Sequence, residues 1–339
     1  MKEQREFDLG SGFICSVDAA DENEWNDIIQ MFRDATLNQT WAFCRARSKK
    51  LSHVIVKRNG KIVAGAMLRL IILPIFAAGI AYLGSGPMWK LRDEPDDIDV
   101  LHRIIRALRL EYVVHRGLFL RISPNMFTNL ANQDENRGIF EDEGFHCHQQ
   151  EDCTLFLNLE LSLDDLRRGL HQKWRNLLNR AEKNGFTVRV GTDEGSLKTF
   201  KGIYEEMLSR KQYKTDVNIN EYEVIQSALP EPLKPTIIIC ELAGLPMAGG
   251  LFSTTGDTGV YLLGATSNEG MKNAASYLIQ WEAIKLLKER GFRAYDLGGC
   301  NIERVPETYH FKAGVCGRNP QLFTRIGIME ACGNQLYPS

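Results

Sequence analysis

The sequence predicts a mixed α/β (α+β) protein built from two tandem subdomains, each a mixed, mostly antiparallel sheet flanked by helices. Three observations predict it. The chain has 339 residues, more than one hydrophobic core usually fills. A β-hairpin pattern occurs twice: "IVKRNGKIVAGAML" (55–68) lies over "ICELAGLPMAGGLF" (239–252) without a gap, Gly60 on Gly244, Val63 on Met247, Ala64 on Ala248 and Gly65 on Gly249. The order of elements after each hairpin is also the same, which marks a duplicated structural unit. The division expected from the repeat is 1–150 and 151–339.

The elements follow from local pattern. After the first hairpin, "IAYLGSGPMW" is a strand, "DIDVLHRIIRALRLEYVVHRG" a helix by its apolar spacing, and "LFLRIS" a strand. After the second, "GVYLLGATS", "ASYLIQWEAIKLLKERG" and "FRAYDLGG" repeat that order. Both helices end in Arg-Gly, Arg116-Gly117 and Arg290-Gly291, with glycine where a left-handed cap would sit. Trp281, on the second of these helices, falls on its apolar face and is expected in the core.

Between the copies lies "SLDDLRRGLHQKWRNLLNRAEKNG", expected as one helix over 163–185. Ser162 caps it, Asp164 and Asp165 sit in its first turn, and Gly185 ends it. Leu166, Leu170, Trp174, Leu177, Leu178 and Ala181 form its apolar stripe. Arg167, Arg168, Lys173, Arg175, Arg180 and Lys183 occupy its other faces. A solvated face is the plain interpretation; a local phosphate-binding patch, with Lys173 and Arg175 as candidate ligands, is the functional one.

Composition excludes several classes. Hydrophobic residues make up 44% and charged residues 25% of the chain, ordinary for a globular protein. A net charge of -2 gives no whole-molecule attraction to nucleic acid or anionic membrane, so an anionic partner needs a local patch. The eight cysteines show no C-x-x-C pair and suit reduced thiols in the cytoplasm. His146, Cys147, His148 and Cys153 offer zinc ligand types, but "GFHCHQQEDCTLFLNL" alternates like one strand and would point neighbouring ligands to opposite faces, so no metal is expected. "MKEQREFDLGSGF" has no apolar core of a signal peptide. "LIILPIFAAGIAYL" (70–83) is too short and interrupted to span a membrane and is expected as two buried strands and a turn.

A hairpin, strand, helix and strand, with the helix entered from a glycine-containing loop, resembles the GNAT acyltransferase fold, where the helix N-terminus binds a pyrophosphate. The corresponding loop here, "TSNEGMKNAAS", has one glycine, Gly270, and one cation, Lys272, and fits coenzyme A poorly. In the first half "KLRDEPDDIDV" places five acids where a phosphate would come.

"YLLGATSNEG", "YLIQWEAIKLLKERGFRAYDLGG" and "YHFKAG" resemble the second half of the FemABX family. Its members are cytoplasmic enzymes with two GNAT-like subdomains that add amino acids from aminoacyl-tRNA to peptidoglycan precursors. "NQTWAFC", "YLGSGPMW" and "KWRNLLNRAEKNG" are similar to upstream pieces of that family, in the same order. The long coiled-coil arm of some members is absent. The resemblance implies an aminoacyl-tRNA donor, a muropeptide or other cell-envelope precursor as acceptor, and no cofactor. It implies that Lys312, matching the lysine of a Phe-Lys pair, stabilises phosphate or transition-state charge, and that Tyr309 and Phe311 wall the transfer site. Gly298 and Gly299 would let backbone approach a substrate. Tyr261 would line the cleft, and Arg210 and Tyr213 would match a phosphate-binding arginine and its neighbouring tyrosine. Asp296 is either a general base or a turn anchor. An acyl-coenzyme A or acyl-carrier-protein donor, and a non-catalytic module binding RNA or a nucleotide-sugar, stay open as alternatives.

Overall fold

The computed structural model describes residues 5–73, 78–128, 133–148, 152–211, 217–300, 302–303 and 305–333. The chain divides into two compact units, residues 1–151 with 324–339, and residues 152–323.

The first unit begins with β1 (Arg5–Gly10), β2 (Phe13–Val17), α1 (Glu22–Gln30) and α2 (Trp41–Arg47). The hairpin β3 (Lys50–Arg58) and β4 (Lys61–Leu73) follows, then β5 (Ala78–Gly84), α3 (Ile98–Leu108), β6 (Phe119–Ser123), α4 (Gln133–Asp142) and β7 (His146–His148). β5 pairs antiparallel with β4 and parallel with β6, so α3 is the crossover. Val100, Leu101, Ile104, Ile105 and Leu108 of α3 are buried on the sheet face that carries Val54, Ala66, Leu68, Ala81 and Leu120. Past Leu108 the helix widens to π-type spacing over Arg109–His115, and Arg116 N accordingly bonds five residues back, to Glu111 O.

The second unit contains β8 (Cys153–Asn158), α5 (Leu163–Gly169), α6 (Gln172–Lys183), β9 (Thr187–Gly191), α7 (Glu194–Lys211) and α8 (Ile219–Ala228). The hairpin β10 (Thr236–Leu242) and β11 (Leu245–Ser253) comes next, then β12 (Thr258–Thr266), α9 (Asn268–Lys272), α10 (Ala275–Glu289), β13 (Ala294–Asp296), α11 (Pro306–Cys316) and β14 (Leu322–Thr324). β12 is antiparallel to β11 and parallel to β13, with α10 as crossover. The unit's core gathers Trp174 and Leu178 of α6 with Leu278, Trp281 and Ile284 of α10. Both tryptophans are core residues, as their helix faces predict.

The final strand, β15 (Ile328–Ala331), pairs with β6 and β7 and so belongs to the first sheet. Among the described residues the sheet orders are β1-β2-β3-β4-β5-β6-β15-β7 and β14-β8-β13-β12-β11-β10-β9. Residues 324–339 therefore depart from the expected division. The reason is pairing: the apolar Ile328 and Met329 fill the open edge of β6, which no nearer segment covers.

The duplication extends to an irregularity. Val56 pairs with Ala64 but Lys57 with Ile62, leaving Val63 extra; Cys240 pairs with Ala248 but Glu241 with Pro246, leaving Met247 extra. These are the residues the alignment superposes. Both turns have two positive-φ residues, Asn59 with Gly60 and Ala243 with Gly244. That backbone suits Asn-Gly and costs an alanine about 1–2 kcal/mol. Ala243→Asn is expected to raise the stability of the second unit by about 0.5–1 kcal/mol, read as a higher Tm; an unchanged Tm would count against this assignment of strain.

Three other expectations are corrected. The helix over 163–185 is broken: Leu170 and His171 are extended, so α5 and α6 are separate. His171 N reaches Gly314 O at 3.0 Å, a tertiary bond that replaces a helical one. "GFHCHQQEDCTLFLNL" contains two strands in different sheets, β7 and β8, and residues 149–151 between them lie outside those described. The run 70–83 contains two strands, but their outer ends are not buried: Ile71, Leu73 and Ile80 are 56%, 52% and 38% exposed. Residues 74–77 lie outside those described.

Candidate active site

β12 and β13 pair in parallel only as far as Val260 and Asp296. Beyond that point both change course. β12 bulges, since Leu251 faces Leu263 while Phe252 faces Tyr261, leaving Leu262 extra. The chain after β13 turns toward β8, where Leu297 N bonds Leu155 O and Cys300 N bonds Cys153 O, each at 2.9 Å. Two parallel strands thus part, and the backbone at Gly298 and Gly299 is freed beside Tyr261.

The turn has a specific anchor. The Asp296 carboxylate accepts from Gly298 N at 2.8 Å and from the Thr154 hydroxyl. It serves as the turn anchor, one of the two roles its position allowed. Gly298 has φ +75, and a Cβ there would lie 2.7 Å from Tyr261 O and 3.5 Å from Lys312 Nζ. Among the described residues nothing lies within 4 Å of an added Cβ at Gly299, and this residue is exposed.

Lys312 comes to this turn from α11. Its Nζ donates to Gly299 O at 2.8 Å and stands 5.7 Å from the centre of the Tyr261 ring. The side chain is only 8% exposed. Burial lowers its pKa from the usual lysine value, with Cys300 and Asp296 opposing that fall. Burial also pushes the Tyr261 hydroxyl up to about 12, against a hydrogen bond from Gln280. Tyr261 stacks on Phe252 at 5.5 Å between ring centres, and its ring occupies the space that a side chain at Gly264 would need.

The position of α11 is set by aromatic packing. Trp174 Nε1 donates to Phe311 O at 3.1 Å, and the rings of Trp174, Tyr277 and Phe311 touch edge-on or tilted at 5.0–6.1 Å. Gly314 permits the close approach, as a Cβ there would meet Trp174 Cδ1 at 2.6 Å. Phe311 therefore supports Lys312 from behind rather than facing the opening. Tyr309, one turn earlier, is half-buried against His310. Trp174→Ala is expected to cost about 3–5 kcal/mol, by cavity and lost hydrogen bond, and to misplace Lys312; thermal unfolding with a parallel activity assay checks it.

The other candidates lie elsewhere in this unit. Arg210, in the last turn of α7, donates to Asn268 Oδ1 at 3.0 Å and Thr266 O at 2.9 Å. It thus binds the far end of β12, about 17 Å along the strand from Tyr261 at ordinary strand rise. Tyr213 lies outside the described residues. On α6 Lys173 is exposed, while Arg175 donates to Arg168 O at 3.2 Å. Arg167 is paired with Glu182 at 2.5 Å and Arg168 with Asp165, so the basic surface is more neutralised than its sequence implies.

The loop before α10 is internally satisfied. Ser267 N bonds Met247 O, Asn268 N bonds Glu206 Oε1, Gly270 N bonds Ser267 Oγ and Met271 N bonds Ser267 O, all at 2.9–3.1 Å. Gly270 is there for packing, since a Cβ would lie 2.0 Å from Met247 O.

Sequence reasoning missed the neighbour of this turn. Cys153 and Cys300 bring their sulfurs to 3.4 Å, and burial, with Cys153 second, pushes the Cys300 thiol up to about 12. No spacing signal announces a pair so far apart in the chain.

Comparisons with known proteins place this arrangement. Residues 238–332 match the FemAB family model. Lipid II:glycine glycyltransferase of Staphylococcus haemolyticus is 27% identical over 118 residues, 34% of this chain and 28% of that protein. The enzyme of the same name from Staphylococcus saprophyticus is 27% identical over 167 residues, 48% of this chain and 34% of its own. The chain thus spans about a third of the length of the curated relatives it matches. The crystal structure of FemX superposes with a TM-score of 0.77 at 16% identity, covering 94% of this chain and 98% of FemX, a likeness of fold. A conserved protein of unknown function from Bacteroides thetaiotaomicron gives a TM-score of 0.62 at 9% identity, over 93% of this chain and 98% of its own. The FemAB match lies over the strands and helix that carry Tyr261 and Lys312, and the FemX fold runs through nearly the whole chain, so this chain is similar to the FemAB family over residues 238–332 and to FemX in its fold.

Proposed function

We propose that this chain is an aminoacyltransferase that moves an amino acid from aminoacyl-tRNA to a free amine of a peptidoglycan precursor. The observation that carries the proposal is the buried Lys312 ammonium, fixed by Gly299 O at the point where β12 and β13 part. The names of the relatives, lipid II:glycine glycyltransferases, support the acceptor class.

In this reaction the acceptor amine attacks the ester carbonyl, forming a C–N bond and an oxyanion. Collapse breaks the ester C–O bond, and the ribose oxygen leaves with the proton that the amine loses. A fixed cation beside the oxyanion contributes about 2–4 kcal/mol. Lys312 suits that role because a buried charge acts through a low dielectric and needs no reorganisation. Lys312 and Tyr261 would be the catalytic pair, with Gly298 and Gly299 presenting backbone to the substrate. Tyr309 would line the approach with Phe311 behind it, and Arg210, Tyr213, Lys173 and Arg175 would hold phosphates farther out.

The satisfied amides of the loop at 267–271, with Glu206 and Glu269 beside them, support a donor other than coenzyme A, whose pyrophosphate needs free donors. The test is transfer of labelled amino acids from a charged total tRNA pool to nucleotide-linked and lipid-linked muropeptides, with labelled acetyl-coenzyme A in parallel. Label is expected in a muropeptide from tRNA. Label from coenzyme A alone would overturn the donor, and label from neither, with both acceptors present, would overturn the enzyme assignment.

A further inference from the structure

One sheet face of the first unit is covered only in part. On the face opposite α3, α1 and α2 cover the region around Gly65 and Met67, where Trp25 lies 3.3 Å from a Cβ at Gly65 and Gln39 bonds Met67. Farther along β4 and β5 this cover ends. The cross-strand pairs there are Arg69 with Tyr82, Ile71 with Ile80 and Leu73 with Ala78, and β6 adds Phe119 beside Ile80. Residues that alternate in a strand share a face. Ile71, Leu73 and Ile80 thus form one apolar band, each more than a third exposed, with partly exposed Phe119 at its side. Three large aliphatic side chains in adjoining cross-strand positions are a patch rather than the scattered exposure common on surfaces.

The band has a charged border. α2 ends in "RARSKK" (45–50), four cations in six residues with no acid. Ser48 Oγ bonds Leu70 O at 3.1 Å, which fastens this run to β4 where the apolar band begins. Arg69 lies over the Tyr82 ring at 4.7 Å, and Arg45, Lys49 and Lys50 are exposed. The chain as a whole carries a charge of -2, so this cluster is local.

We propose that the face of β4 and β5 around Ile71, Leu73 and Ile80 is a docking surface for an anionic lipid bilayer. The apolar band would enter the acyl boundary, and the cations of residues 45–50 with Arg69 would meet the headgroup phosphates. Apolar contact and basic flank are the two attractions that reversible interfacial binding combines. A protein partner would be served by the apolar band alone; the exposed cations Arg45, Lys49 and Lys50 at its border favour the lipid surface.

The test is co-sedimentation of the full chain with vesicles of phosphatidylcholine alone or mixed with phosphatidylglycerol, at low and high salt. The vesicles hold no muropeptide, so the outcome does not depend on the proposed reaction. Binding is expected only with phosphatidylglycerol, weaker at high salt. Ile71→Glu with Leu73→Glu should reduce it by about tenfold or more, and Arg45→Glu with Lys49→Glu should remove its salt dependence. Both positions are exposed, so folding should persist, as circular dichroism would show. Absence of binding, or binding by both variants as strong and as salt-dependent as that of the unaltered chain, overturns the proposal. So does a concentration-dependent dimer that Ile71→Glu with Leu73→Glu dissolves, since the face would then serve a second copy of the chain.

Discussion

Replacing Lys312 by methionine is expected to lower kcat for aminoacyl transfer by about 10²–10³-fold, the loss found when one preorganised donor to an oxyanion is removed. Methionine keeps most of the length and apolar contact and deletes only the charge. A structural lysine would behave differently. Lys312 is 8% exposed and its pKa is lowered by burial, so the cation is held at some expense to the fold. Its close acceptor among the described residues, Gly299 O, belongs to an exposed residue and can bond water instead. Lys312→Met should therefore keep or raise Tm while activity collapses. A fall in both would assign the lysine to structure, and unchanged kcat would remove it from the mechanism.

The pH dependence has a definite sign. Burial places the Lys312 pKa below the ordinary 10.5, so the native state releases this proton before the unfolded chain does. Between those two values the unfolded chain holds more protons, and stability rises with pH. Activity that needs the cation moves the other way, falling as pH passes the lowered value. Opposite trends of Tm and kcat across one alkaline window would mark a buried catalytic cation, and parallel trends would not.

The repeat was readable because turns and bulges are local: a glycine after a positive-φ residue fixes the hairpin, and Val63 and Met247 occupy equivalent irregular positions. The apolar periodicity of α10 is likewise local, and Trp281 is buried where it predicts. What the sequence concealed depends on distant pairing. The break between α5 and α6 is held by Gly314, and β15 takes its place from β6 and β7. Arg210 ends α7, but its partners Thr266 and Asn268 come from β12 and α9, more than fifty residues on. The basic stretch at 163–185 looked more positive than it is, since Arg167 pairs with Glu182 of α6 and Arg168 with Asp165 of its own helix, and a charge count does not reveal who faces whom.

The glycines beside Lys312 separate two roles that the sequence gives identically. Gly298→Ala puts a Cβ 2.7 Å from the backbone oxygen of Tyr261 and 3.5 Å from Lys312 Nζ, at φ +75. Backbone atoms cannot swing aside, so the turn must shift, at about 1–3 kcal/mol of stability. In the proposed mechanism the shift would separate Lys312 from the reacting centre, and a misplacement of about 1 Å is worth about 10²-fold in rate. Gly298→Ala should thus lower Tm and kcat together. Among the described residues Gly299→Ala meets nothing within 4 Å, and it should leave Tm unchanged. Its added methyl projects into the open space beside the carbonyl that holds Lys312, where a substrate would approach. A raised KM with normal Tm would place the substrate against Gly299; unchanged kinetics would move the binding surface to another side of Lys312.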